Sequence, residues 1–328
     1  VYFKEGAQMI TTRLTELLKI RHPIVQGAMA WVSWPELVAA VSNAGGLGIL
    51  GAGFMTVEEL RTNVRRTKEL TTQPFAVNIL PDNPNLDQML DVILDERVPV
   101  VSYGIGNPKR IMQKCKPQGM LCLPTVGAVR HAVKAEEDGA DAVIIQGTEA
   151  GGHSSHVATI VLVPEVVERL QIPVAAAGGF CDARGLAAAL AMGAEGISMG
   201  TRFMLVKECP IPKTVKDRYL KSSEEETMVS GHVTGVRCRI LKNKLADRFL
   251  ELGEQNAPSR EFMMLGVGRF RKAFIEGDPD WGSLACGQVI GRIDDIPSCE
   301  ELIDGIVSGT EELMYDLRRR FPPLSGHL

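Results

Sequence analysis

Residues 173–202 read PVAAAGGFCDARGLAAALAMGAEGISMGTR. Two short apolar runs, 173–176 and 196–199, each end in glycine: Ala177-Gly178-Gly179 after the first, Met199-Gly200-Thr201 after the second. The stretch between them, 183–192, is rich in alanine and leucine at helical spacing and follows Asp182, a good helix N-cap. Strand, helix and strand in about 30 residues is a βαβ crossover. Both runs are continuously apolar, as strands covered on both faces of a parallel sheet are.

The same unit recurs toward the N-terminus. Apolar runs at 24–26, 47–50, 75–78, 98–102, 121–125 and 142–146 precede this pair, so there are eight, with starts 21 to 31 residues apart. Helical apolar spacing fills the intervals at 35–43, 57–70, 86–96, 128–138 and 164–170. An open doubly wound sheet usually stops at roughly five to seven strands, and eight βα units close into a (β/α)8 TIM barrel. After Arg202 the pattern changes. Residues 207–257 carry charged helical stretches, two prolines within 208–212 and the acidic run Glu224-Glu225-Glu226, which predicts a helical insertion after the eighth strand. The expected division is a cofactor-binding barrel over 9–206, a helical substrate-side insertion over 207–285, and a return to the barrel over 286–328. Its amphipathic helix, 299–320, stops before Pro322-Pro323.

The chain has 328 residues, 45% hydrophobic and 23% charged, which excludes disordered, fibrous and disulfide-dense classes. Thirty-six Lys and Arg against 40 Asp and Glu leave a net charge of −4, so nucleic acid and anionic lipid are not expected partners. The seven cysteines form no C-x-x-C pair and no metal-ligand spacing, and read as reduced, intracellular and structural. No run approaches the roughly 18 apolar residues of a membrane span, and residues 1–8 lack an export signal, so a soluble cytoplasmic protein is expected. Those eight residues precede Met9, read as an alternative start or a remnant, and carry no functional expectation.

In a barrel the chemistry sits on the loops after the strands. Taken singly, the glycines of Gly178-Gly179 and Gly200-Thr201 serve equally as formers of tight turns. As a pair after the last two strands, beside Met199, they make an anion cradle for a phosphate. After the first strand, Gly27-Ala28-Met29 admits a flat ring, with core packing as the plainer use. Asn78 can bond a ring edge or a phosphate, or cap its own turn. Together these residues point to a phosphorylated planar cofactor across the barrel mouth. The sixth strand runs into Gln146-Gly147-Thr148-Glu149-Ala150-Gly151-Gly152-His153, followed by Ser154-Ser155-His156. His153, behind two glycines, is the candidate for proton transfer near neutral pH, and His156 the weaker one. Two motifs are discounted. Gly46-Leu47-Gly48-Ile49-Leu50-Gly51 matches the dinucleotide fingerprint, but its glycines run through a strand instead of following one. Cys181 has no basic neighbour to activate its thiol, so a small packed residue is the expected role.

Pro23-Ile24-Val25-Gln26-Gly27-Ala28-Met29-Ala30 and Ala44-Gly45-Gly46-Leu47-Gly48 resemble the FMN barrels of the enoyl-acyl carrier protein reductase II and nitronate monooxygenase superfamily. So do Glu149-Ala150-Gly151-Gly152-His153, Ala177-Gly178-Gly179, Gly200-Thr201-Arg202-Phe203 and Cys286-Gly287-Gln288. The reductase branch is the closer resemblance, through Leu14-Thr15-Glu16-Leu17-Leu18-Lys19-Ile20, Gly104-Ile105-Gly106-Asn107-Pro108 and Gly277-Asp278. The resemblance implies FMN, with Gly178, Gly179, Gly200 and Thr201 around its phosphate. It implies that Gly27, Ala28, Met29, Asn78 and Gln146 lie near the ring or ribityl chain, with Gly152 and Met199 in the same lining. His153 would face the reactive side, and Gln288 would belong to a loop closing over the cofactor.

The leading expectation is a reductase in which NADH or NADPH supplies electrons for an enoyl thioester, on acyl carrier protein in fatty acid synthesis. Basic clusters at 213–221, 237–244 and 318–320 offer that acidic carrier a docking surface, or are simply solvated. The alternative is a nitronate monooxygenase acting on nitronates or nitroalkanes with O2. A barrel like inosine monophosphate dehydrogenase needs a cysteine after the sixth strand, which 147–156 lacks. A flavin-binding sensor without turnover stands as the non-enzymatic reading. Phe262-Met263-Met264, if exposed, makes a homodimer plausible.

Overall fold

The computed structural model describes residues 10–231 and 237–321. The opening segment 1–8 and Pro322-Pro323 lie outside them. Eleven strands follow in chain order: β1 (Ile24–Gln26), β2 (Gly48–Gly51), β3 (Phe75–Ile79), β4 (Val100–Gly104), β5 (Leu121–Val126), β6 (Val143–Gln146), β7 (Gly152–His153), β8 (Val174–Ala177), β9 (Gly196–Met199), β10 (Thr227–Ser230) and β11 (Cys238–Leu241). Eight of them form one parallel sheet in the order β1-β9-β8-β6-β5-β4-β3-β2. A parallel bridge between Val25 and Leu47 closes it, with Gln26 N donating to Leu47 O at 2.9 Å and Leu47 N to Ile24 O at 2.9 Å. The fold is the expected (β/α)8 barrel.

The strands bury both faces, which explains their unbroken apolar runs. Val25, Leu47, Ile49, Ala76, Val100, Leu123, Ile144 and Ala175 fill the interior, joined by Leu14 and Leu18 of the first helix, Arg13–Leu18. Their neighbours in sequence, among them Ile24, Leu50, Val77, Val101 and Ile145, face the surrounding helices. Register sets the mouth: Gln26 pairs with Met199, Ser198 with Ala177, and Ala177 with Gln146. The loops after β1, β6, β8 and β9 therefore leave the sheet at nearly one level.

The discounted glycine motif has a packing role. A Cβ on Gly48 would stand 2.2 Å from Val38 O, one on Gly46 2.8 Å from Ile24 O, and one on Gly51 2.6 Å from Met29 O. These glycines let helix Pro35–Asn43 and the loop after β1 press on β2. Helix Cys299–Arg320 completes the outer ring, with Thr310 Oγ1 donating to Ala183 O at 3.1 Å.

The segment after β9 is not wholly helical, which corrects the expectation. It holds helices Lys213–Leu220, Lys244–Glu254, Ser259–Gly266 and Arg269–Phe274, and also the antiparallel pair β10 and β11. The reason is tertiary: β11 also pairs with β7, from the loop after β6, giving a three-stranded sheet β10-β11-β7 that no local pattern announces. Val215, Tyr219, Leu241, Phe274 and Leu284 share one core cluster with Phe203 and Ile303. Phe262 is buried and stacks with Phe249, whereas Met263 and Met264 are exposed.

His22 sits just before β1, 2% exposed, and neither ring nitrogen has a hydrogen-bond partner among the described residues. Burial, helped by the Arg21 charge, pushes its pKa down to about 4 from 6.5. The folded-state pKa lies below the unfolded one, so the stabilisation is present above pH 6.5 and is lost as pH falls toward 4. The effect is on the order of 3 kcal/mol. Acidification from pH 7.5 to pH 4 should lower the melting temperature of the wild type by more than that of His22→Leu, and an equal fall in both would contradict the assignment. Gly48→Ala should cost about 3 kcal/mol through overpacking against Val38, read as a lower urea midpoint.

Candidate active site

Four groups of loop residues meet at the barrel mouth, each held by partners distant in sequence. After β1, the fully buried Gln26 accepts from Ile49 N at 3.1 Å through Oε1. Its Nε2 donates to Ser33 Oγ at 2.8 Å and to Gly27 O. Ser33 Oγ in turn accepts from Met29 N at 3.0 Å, and Gly27 N donates to Met199 O at 2.9 Å. The Gly27-Ala28-Met29 turn is thereby fixed, and Met29 Sδ lies 3.5 Å from where a Cβ on Gly200 would be. Met29 thus spans the ends of β1 and β9.

Asn78 does not cap its own turn. Its Nδ2 donates to Ser102 Oγ at 3.2 Å, across the β3–β4 pair where the two residues are in register. Ser102 escapes the sequence reading, although a polar residue inside the apolar run of 98–102 was a usable signal.

The loop after β6 is the most heavily constrained. The Glu149 carboxylate accepts from Thr159 N at 3.1 and 3.0 Å and from Thr159 Oγ1 at 2.6 Å, at the start of helix Thr159–Val167. A Cβ on Gly147 would stand 2.0 Å from Thr159 Oγ1, so this clasp requires glycine there. Glu149 O accepts from Gln288 N at 2.9 Å. A Cβ on Gly151 would meet Cys286 C at 2.4 Å, so 286–288 lies directly against 149–151. From the other side the buried Arg239 on β11 donates to Thr148 O at 3.2 and 3.0 Å. Thr159 and Arg239 carry no sequence signal, because their partners are reached only through the fold.

The loop's far end carries His153. Gly152 has φ +66° with open space around it, so the backbone angle and not crowding favours glycine. Gln146 Nε2 donates to His153 O at 2.5 Å, and β7 pairs with β11 at Cys238. The imidazole is exposed at the mouth, yet the surrounding protein desolvates it and holds its pKa below 6.5. Its exposure keeps that effect small in energy. His153 is therefore a solvent-open, neutral imidazole near pH 7. His156 Nδ1 is instead engaged by Arg237 at 2.8 Å.

After β8, Gly178 and Gly179 have φ +101° and +84°, angles that L side chains rarely adopt. The N–H groups of Gly178, Gly179 and Gly200 have no acceptor among the described residues. Thr201 Oγ1 accepts from Gly287 N at 2.9 Å, tying this cradle to the 286–288 strip. Arg202, 5% exposed, braces it from below through Asp295 at 2.7 Å and Leu205 O at 2.6 Å. Free backbone donors in adjacent turns where side chains would intrude fit a phosphate, and the turn of Gly27 and Met29 beside them fits a flat ring. The residues present fit a flavin mononucleotide. Cys181 is buried, its thiol pKa raised by that burial, in keeping with a packing role.

Among the sequence-based candidates, Gly27 is joined to Met199, Met29 lies beside Gly200, Gln146 holds the main chain of His153, and the strip carrying Gln288 is tied to Glu149 and Thr201. Among the described residues no helix is long and apolar enough to cross a membrane.

Comparison with known proteins identifies the family. The family model for nitronate monooxygenase matches residues 11–89 and 82–309. The chain is 40% identical to the (3aS,4S,5R,7aS)-5-hydroxy-7a-methyl-1-oxo-octahydro-1H-indene-4-carboxyl-CoA dehydrogenase of Rhodococcus jostii, over 91% of this chain and 95% of that one. The solved structure of FabK from Thermotoga maritima superimposes with a TM-score of 0.91 at 41% identity, over 94% of this chain and 99% of that one. The nitroalkane oxidase of Streptomyces ansochromogenes does so with a TM-score of 0.82 at 31% identity, over 93% and 100%. The chain belongs to the nitronate monooxygenase family, in a FabK-like relation to enoyl-acyl carrier protein reductase II, and is a flavin-dependent oxidoreductase.

Proposed function

We propose that the protein is an FMN-dependent reductase of enoyl thioesters, using NADH or NADPH and reducing the double bond of an acyl group that stays attached to acyl carrier protein or coenzyme A. The observation that carries this reading is the exposed His153 on its own short strand in the loop after β6, at the strand-end side of the barrel where the free-donor cradle follows β8 and β9. Two relatives near 40% identity support the thioester class: FabK, and a dehydrogenase named for a carboxyl-CoA substrate.

FMN, when bound, supplies the two-electron chemistry between nicotinamide and the substrate's double bond. The chain supplies the rest. The N–H groups of Gly178, Gly179 and Gly200 would hold the phosphate, and the Gly27 to Met29 turn would let a ring approach the backbone. Gln146 and Asn78 offer amides to its polar edges. His153, neutral at pH 7, donates a ring N–H hydrogen bond to the thioester carbonyl as negative charge develops on that oxygen, and the proton that completes the α-carbon comes from solvent. The 286–288 strip, fastened through Gln288 N and Gly287 N, would close over a bound cofactor and limit the access of water. All seven cysteines are free thiols, which supports work in the reducing cytoplasm.

The basic clusters offer less to a carrier than their sequence suggests. Lys213 pairs with Asp217 at 2.6 Å, Arg218 with Glu226 at 2.9 Å and Lys244 with Asp280 at 2.7 Å, while Lys216 is buried against Val206 O. The nitroalkane oxidase likeness keeps nitronate oxidation as the second reading.

Anaerobic mixing of the yellow protein with NADH or NADPH should bleach the flavin band, and crotonyl-CoA should restore it. Bleaching by a nitronate but not by nicotinamide would move the assignment to the monooxygenase. His153→Ala should retain flavin, since only its main-chain oxygen holds the loop, and should lower turnover by roughly 10²- to 10⁴-fold. Unchanged turnover would remove His153 from the mechanism.

A further inference from the structure

Ser154-Ser155-His156, just past His153, is the part of the loop after β6 that the chemistry above leaves unused. The register of the small sheet decides what faces it. Arg239 pairs with Gly152 and Cys238 with His153, so the next antiparallel step brings Arg237 opposite Ser154. Directly opposed residues send their side chains to the same face of a sheet. His156 joins this pair through the 2.8 Å contact between its Nδ1 and Arg237 Nη1.

The three side chains are short of acceptors. A guanidinium holds only donors, so Nδ1 of His156 accepts in that contact and the ring proton sits on Nε2. Arg237 Nε and Ser154 Oγ are buried, and neither has a hydrogen-bond partner among the described residues. A buried donor left in that condition is costly and calls for an acceptor. Arg239, two residues on, shows the contrast, since its guanidinium is taken up by Thr148 O and Thr227 Oγ1. No carboxylate does the same for Arg237: among the described residues it forms no ion pair, and Glu149 of the same loop is engaged by Thr159. The group thus offers a permanent positive charge, a hydroxyl and a ring N–H, with no anion to meet them.

We propose that Ser154, His156 and Arg237 form a binding site for a phosphate, the one at the end of the pantetheine arm that carries the acyl thioester. Arg237 supplies the charge and a forked pair of donors, and His156 Nε2–H and the Ser154 hydroxyl supply the rest. Ligand oxygens reach the group from the side of His156, whose ring is exposed. Coenzyme A and acyl carrier protein both present this phosphate, so the site recognises the arm and not the carrier beyond it. Its place one residue past His153 suits an arm whose thioester lies at the mouth and whose flexible chain runs outward. The identity of the phosphate rests on the thioester reading proposed above, whereas the anion site rests on the three side chains.

The test compares crotonyl phosphopantetheine with crotonyl pantetheine, two thioesters that differ only in the phosphate, on the full-length flavoprotein. Wild-type kcat/KM should be about tenfold higher for the phosphorylated thioester, with the difference in KM. Arg237→Gln should bring the two within about twofold of each other, Ser154→Ala should lose part of the difference, and Arg237→Lys should keep part of it. Calorimetric titration with phosphopantetheine itself should give tighter binding to the wild type than to Arg237→Gln. Equal kcat/KM for the two thioesters in the wild type, or a ratio that Arg237→Gln leaves untouched, would overturn the proposal. So would Arg237→Gln slowing flavin reduction by NADH about tenfold, which would give the site to the nicotinamide's phosphates. If neither thioester is turned over, the reductase reading fails by itself and the titration still decides: tighter wild-type binding sustains the site, and equal binding refutes it.

Discussion

The clasp between the Glu149 carboxylate and Thr159 is the interaction on which the rest of the site depends. A carboxylate taking a shared N–H and a short hydroxyl hydrogen bond from one residue fixes the loop after β6 at its midpoint. With the midpoint held, the main chain of Glu149 can receive Gln288 N, and Gly151 can lie flat against Cys286. The same loop then has only one direction in which to run on, and it does so as β7, presenting His153. Loss of this clasp would free the histidine and the covering strip together, although neither touches the carboxylate.

Glycine has two separate uses in this barrel. At Gly48, Gly46 and Gly51 a side chain is excluded by main-chain oxygens of neighbouring elements, and the effect is tight packing of helix on strand. At Gly178, Gly179 and Gly152 the backbone itself takes positive φ, and N–H groups of the first two have no acceptor among the described residues. The first use is structural, the second prepares a surface for an anionic ligand. Letter matching does not separate them, because both look alike as strings of glycine.

The insertion is more than a cover. Its strand β11 supplies Arg239, whose guanidinium is buried and held by Thr148 O and by Thr227 Oγ1 at 2.9 Å. Burial lowers its pKa from that of a solvated arginine without removing the charge. The insertion therefore reaches into the mouth and sets the position of the histidine loop, which links the two ends of the chain's chemistry through one small sheet.

Much of this was legible in the sequence. The eight apolar runs announced the barrel because strands buried on both faces need continuous apolar residues, and Gly178-Gly179 behind β8 announced a cradle because few other residues tolerate the positive φ of that turn. The candidate residues followed because a barrel puts every strand end at one mouth. Local pattern could not supply the partners. Thr159 for Glu149, Ser102 for Asn78 and Arg239 for Thr148 are pairings between segments that periodicity treats separately. The β10-β11-β7 sheet was hidden for the same reason, since a two-residue strand has no period to detect. Sequence alone determined the fold class and the kinds of groups at the mouth, through burial periodicity and backbone freedom. Tertiary structure decided which groups hold one another and where His153 stands, because those bonds form only between residues that closure of the barrel brings together.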